Sequence, residues 1–148
     1  MNPELVKYVK DAIERLKSKE IYGSHAEGVF SKAAKGFESE FRHYVLAVLK
    51  RCNLDYEKDI RSAIKGPTYD KLTLGQQVAS LKEAEKKYAP AAFKGRIPEL
   101  CEPHKYFREL NRINKLWVDV KHRDAEPSEF EAALTSIDHI LARLSQSQ

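Results

Sequence analysis

The chain is poor in the residues that punctuate tight turns, with six glycines and six prolines among 148 residues. A sandwich or barrel built from many hairpins needs far more of both. Its two cysteines, Cys52 and Cys101, are too few and too isolated for a disulfide framework or a zinc site. They read as small buried or half-buried thiols. No apolar run approaches the roughly 20 residues needed to cross a bilayer. Met1-Asn2-Pro3-Glu4 starts a helix and does not show the basic-then-apolar pattern of a secretory signal. A cytoplasmic protein with no membrane partner is expected. Gly-rich phosphate loops, zinc-type His/Cys spacing and a Ser-His-Asp elbow are all missing, as are internal repeats and low-complexity segments. No metal and no cofactor are therefore expected.

What is present suits a folded protein. Hydrophobic residues make up 42% and charged residues 32%, a balance that argues against disorder. The length matches one domain with one core, so residues 1–148 are expected to form a single helical-bundle domain. The 26 basic residues face 22 acidic ones and mostly alternate with them. A net charge of +4 permits an acidic partner such as RNA without demanding one.

Three-four apolar spacing runs through the sequence. Asn2 as N-cap, Pro3 and Glu4 open a first helix. Leu5, Val9, Ala12 and Leu16 form its stripe, and a stop is expected near Tyr22-Gly23. A long helix from about Ser24 to Arg51 carries Phe30, Ala33, Phe37, Phe41, Tyr44, Val45 and Val48 on one face, with Asn53 as its stop. Asp55 to Lys65 reads as a short helix with Tyr56, Ile60 and Ile64 inward. Thr73-Leu74-Gly75-Gln76 has the capping-box pattern, and Leu74, Val78 and Leu81 follow it. Tyr88 to Pro103 reads as a loop, with one helical turn around Pro98–Cys101. A further helix from about Pro103 places Tyr106, Leu110, Ile113, Trp117 and Val120 inward. In the last helix Ser128 and Glu131 read as the capping box, with Phe130, Leu134, Ile137, Leu141 and Leu144 as the stripe. Strand-like alternation is absent. The expected class is all-α, an antiparallel four- to five-helix bundle.

The stretch from Arg108 to Asp124 holds the candidate chemistry. At about 100° per residue, Arg108, Asn111, Lys115, Asp119 and His122 fall opposite the apolar side. Cations, an amide, a carboxylate and an imidazole on one stripe suit phosphate binding. With His122 as general acid or base, they suit 2′-hydroxyl attack on an RNA phosphodiester. The plainer reading is that any surface helix shows a polar stripe. His25, His43 and His104 have no partner at metal spacing and read as surface histidines. Lys82-Glu83-Ala84-Glu85-Lys86-Lys87 reads as a solvated helix end.

Three places resemble the HEPN superfamily, helical-bundle domains of prokaryotic defence and toxin systems. Phe37-Glu38-Ser39-Glu40-Phe41-Arg42 is similar to that family's aromatic-Glu…Arg stretch. Leu72-Thr73-Leu74-Gly75-Gln76-Gln77-Val78 resembles the opening of its third helix. Glu109-Leu110-Asn111-Arg112-Ile113-Asn114-Lys115, followed by Val120-Lys121-His122, resembles the segment before its final helix. The likeness covers most of the chain in order. It implies a HEPN-like fold, a homodimer, RNA as a partner, and an antitoxin or larger defence protein as an associate.

The family's catalytic signature is an Arg separated from a His by four to six residues, often with Asn directly after the Arg. Counting back from His122, those positions hold Lys115, Leu116 and Trp117, while nine residues separate Arg112 from His122. Lys115 keeps the outer spacing but lacks the planar fork of Arg.

The resemblance therefore favours a dimerisation or adaptor module of a defence or toxin–antitoxin type system with a degenerate RNase site. The first alternative is an active metal-independent endoribonuclease. It would use His122 as acid/base, with Lys115 or Arg112 on the phosphate and Arg108, Asn111, Asn114, Lys121 and Arg123 as RNA contacts. The second is a non-catalytic RNA-binding helical protein, whose binding would weaken steeply with salt. With Trp117 counted as core, Trp117→Ala is expected to cost roughly 3–5 kcal/mol in chemical denaturation.

Overall fold

The computed structural model describes residues 2–87 and 103–147, and every described regular element is helical. Six α-helices follow in order among the described residues: α1 Pro3–Lys17, α2 Gly23–Arg51, α3 Arg61–Ile64, α4 Leu74–Lys87, α5 Pro103–Asp119 and α6 Pro127–Ser147. A π-helical turn, Tyr56–Ile60, leads into α3, and a 3₁₀ turn, Tyr69–Lys71, precedes α4. None of these helices is long and apolar enough to cross a membrane. Cys101 and the expected turn at Pro98–Cys101 lie outside the described residues, as do the side chains of His104 and Tyr106. The segments gather into two compact units, Met1–Phe37 with Arg108–Gln148, and Glu38–Phe107.

In the first unit, the Asn2 side chain accepts from the N–H groups of Glu4 and Leu5 and caps α1, with Pro3 pre-set for the first turn. The helix ends at Lys17, five residues before the expected stop. Lys19 takes a left-handed φ of 58°. The Lys19 and Glu20 N–H groups then return to the Leu16 and Arg15 carbonyls, closing a Schellman turn. Nothing in the sequence flags this turn, because a lysine stands where glycine is usual. Ile21 is buried just beyond it.

Side-chain register shows α1 and α2 running antiparallel. Lys32 sits over the Tyr8 ring. One turn further along α2, Gly36 lies so near Leu5 that a Cβ there would stand 2.7 Å from Leu5 Cδ1. α6 also packs against α1, and Phe30 of α2 meets Phe130 of α6 with ring centroids 5.6 Å apart. The expected α6 stripe is buried in full, from Phe130 to Leu144. The α6 cap differs from expectation. The Glu126 N–H donates to the Glu129 carboxylate and the Glu129 N–H donates back to the Glu126 backbone carbonyl, with Pro127 at the first helical position. Proline's fixed φ starts the helix at Pro127, one residue before Ser128.

The second unit is tied by hydrogen bonds between α2 and the start of α4. Thr73 and Gln76 make the expected reciprocal capping box, Gln76 N–H to Thr73 Oγ1 and Thr73 N–H to Gln76 Oε1. The Leu74 N–H donates to the Glu38 carboxylate at 3.0 Å, placing a negative charge at the positive end of α4. Arg42 donates to the Leu72 carbonyl at 3.0 Å and lies 3.5 Å from Glu38. The Gln77 amide, fully buried, donates to the carbonyls of Glu38 and Leu72. Tyr69 donates its hydroxyl to the Arg42 carbonyl, and burial pushes its pKa up. Tyr56 and Ile60 are buried as expected and Ile64 is half-buried. Asn53, at φ 54°, ends α2 as the sequence indicates.

Trp117 is half-buried, whereas its neighbour Leu116 is 5% exposed. The inward face of α5 is thus Leu110, Ile113, Leu116 and Val120. In chemical denaturation, Phe41→Ala at a fully buried site should cost about 3–5 kcal/mol, and Trp117→Ala clearly less. Equal losses would show Trp117 to be as sealed as Phe41. Glu38→Ala should lower stability by roughly 1–2 kcal/mol through loss of the α4 cap. It should also speed amide exchange at Leu74. An unchanged Leu74 exchange rate would show that this carboxylate does not hold the helix end.

Candidate functional site

α5 and α6 are joined by the short segment 120–126 and run antiparallel. His139 of α6 reaches Glu109 of α5, while Glu129, nearer the start of α6, reaches Arg123 just beyond the α5 end. Between them lies a groove of about 490 Å³. Arg112, Lys115 and Asp119 form the α5 wall, and Ser128, Glu129 and Ala132 the α6 wall. A neighbouring hollow of about 480 Å³ shares Arg112, Ser128 and Ala132 and adds Glu109, Ser136 and His139. The two therefore form one continuous trough with Arg112 at its middle.

One end is closed by Arg123. Its guanidinium meets both Glu129 oxygens, at 2.7 and 3.1 Å, in a bidentate fork, and approaches Asp119 Oδ2 at 3.4 Å. The Arg123 hydrogen bond, helped by the Glu126 N–H, pulls the Glu129 carboxyl down to about 2. Glu129 in turn holds Arg123 above its ordinary value. At the other end His139 Nδ1 lies 2.9 and 3.1 Å from the two Glu109 oxygens. This carboxylate fixes the orientation of the imidazole ring.

The sequence-named residues are distributed as follows. Arg108, Asn111, Lys115, Lys121 and His122 are exposed, and Asn114 is half-buried. Arg112 and Lys115 line the trough, and neither has an ion-pair partner among the described residues. Arg123 is committed to Glu129 and Asp119. His122 stands in the turn after α5, where its N–H donates to the Asp119 carbonyl. Arg112 and Lys115 lie within α5, whereas His122 lies beyond its last residue, Asp119. Arg112 and Glu109 are one turn apart, about 4.5 Å along the axis. The imidazole brought near Arg112 is therefore that of His139.

Sequence reasoning missed His139 because its partner is thirty residues away and no local spacing joins them. A faint signal exists. Ser128, Glu131, Thr135 and His139 recur at three-four spacing, a polar stripe beside the apolar one. Among the described residues, no group of three or more His, Cys, Asp or Glu side chains is placed to hold a metal ion.

No family model, curated protein or solved structure matches the chain. What the trough can do follows from its own side chains: two cations without an ion-pair partner among the described residues, between a carboxylate-anchored imidazole and a closed ion-pair cluster.

The Glu129 shift has a pH consequence. Its folded pKa lies below the unfolded value, so the bridge stabilises fully above the ordinary carboxylate range. That contribution is lost as pH falls toward about 2. Carboxyl-carbon NMR should show the Glu129 midpoint near 2, returning toward the ordinary range in Arg123→Gln. An unshifted midpoint in the native chain would show that the bridge does not persist in solution.

Proposed function

We propose that this chain is a HEPN-like domain, an antiparallel four- to five-helix bundle of a prokaryotic defence or toxin–antitoxin type system. It acts mainly as a dimerisation or adaptor module, and its RNase site is degenerate. One observation carries the reading: two of the three segments that resemble the family are bonded to one another. Glu38 caps Leu74, Arg42 donates to Leu72, and Gln77 donates to Glu38. These residues serve the scaffold, which is the part of the likeness that a non-catalytic module retains. The third segment has Lys115 where the family's Arg would stand, with His122 beyond the end of α5. A lysine there supplies a point charge and no bidentate fork.

Sedimentation equilibrium should give about twice the 17.0 kDa chain mass. Single-stranded RNA should stay intact in metal-free buffer. A monomer across the micromolar range would remove the dimerisation role. Metal-free cleavage that disappears in His122→Ala and survives in His104→Ala would replace the adaptor reading with an active endoribonuclease.

A further inference from the structure

We infer that the α5–α6 trough is a binding site for a phosphate-class oxyanion, held by Arg112 and Lys115 beside the Glu109-anchored imidazole of His139. The inference rests on the trough alone and is independent of the family reading. A monomeric chain that binds pyrophosphate here would end the dimer proposal and leave this one standing.

The case is a matter of which charges already have partners. Four carboxylates border the trough. Asp119 and Glu129 share Arg123, and Glu109 is hydrogen-bonded to His139. Only Glu131 lacks an ion-pair partner among the described residues, and it lines the His139 half with Arg112, not the half that holds Lys115. In the half that holds both Arg112 and Lys115, three cations meet two carboxylates. A concave wall of low polarisability concentrates the field of such charges.

The donor set also indicates the kind of anion. The Arg112 guanidinium offers a planar fork that matches two oxygens of a phosphate, and Lys115, one turn away, adds a mobile point charge. Ser128 supplies a hydroxyl from the opposite wall. Donors arriving from both walls suit a tetrahedral anion with three or four oxygens better than a planar carboxylate with two. Glu109 keeps the His139 ring at the same trough, one helical turn from Arg112. The Arg123–Glu129 fork closes the far end and keeps Arg123 from competing for the ligand.

The test uses the full chain, labelled with ¹⁵N and titrated with inorganic pyrophosphate at constant pH and ionic strength. Saturable shifts are expected at the amides of Arg112, Lys115, Ser128 and Ala132 and at the His139 ring, with the His122 ring unmoved. Affinity should fall at least tenfold in the Arg112→Gln, Lys115→Gln double variant. It should change less than twofold in Arg108→Gln or Lys121→Gln, which remove exposed cations that do not line the trough. All four positions are exposed, and an unchanged melting curve will show that each variant folds. Linear, non-saturating shifts, equal losses in the Arg108→Gln control, or movement of the His122 ring in place of His139 would overturn the assignment.

Parallel titrations with adenosine monophosphate and a single-stranded RNA hexamer distinguish the source of the phosphate. Tighter RNA binding, with a salt slope that shrinks by about one in Arg112→Gln, assigns the site to a nucleic-acid backbone. Saturation by pyrophosphate and the mononucleotide alone assigns it to a small phosphorylated ligand.

Discussion

Burying one side of α2 is the constraint on which the rest of the structure depends. At 29 residues the helix is about 44 Å long. Phe30, Ala33, Phe37, Phe41, Val45 and Leu49 are fully buried along it. An exposed stripe of that size would cost on the order of 2 kcal/mol for each large side chain left in water. Within each unit, neighbouring elements cover part of it. In one unit Gly36 lets Leu5 of α1 approach closely and Phe130 of α6 meets Phe30. In the other, the backbone carbonyls of Glu38 and Arg42 take a second donor, from Gln77 and Tyr69. A carbonyl within a helix has a lone pair to spare for this.

The same accounting separates scaffold from site. Glu38, Arg42 and Gln77 are polar and partly or wholly buried, and their bonds fasten the Leu72–Leu74 turn to α2. Removing any of them would leave a donor or acceptor without water or partner, which is costly in a dry interior. Arg112 and Lys115 are in the opposite condition. Neither has an ion-pair partner among the described residues, yet both face a concavity whose other charges are mostly committed. Side chains of that kind are available to a ligand, which is why the trough rather than the buried network is read as functional.

His122 and His139 illustrate why proximity in sequence misleads. His122 follows Lys115 closely in sequence, but it stands in the turn beyond the end of α5. His139 lies in another helix, yet Glu109 brings its ring to within a turn of Arg112. Axial distance within one helix is set by the backbone and cannot be shortened. Distance across a helix pair is set by packing and can be small whatever the sequence separation.

By itself the sequence determined the helical class, the apolar stripes of α1, α2, α4 and α6, the Thr73–Gln76 capping box and the end of α2 at Asn53. All of these are local: period 3.6 and cap chemistry act over a few residues. The tertiary structure decided the Schellman turn at Lys19, the start of α6 at Pro127, the half-exposure of Trp117 and the pairing of Glu109 with His139. Each depends on what lies opposite in space. A lysine adopts a left-handed φ when the next apolar residue is drawn into a core, and an imidazole finds its carboxylate only once two helices have packed.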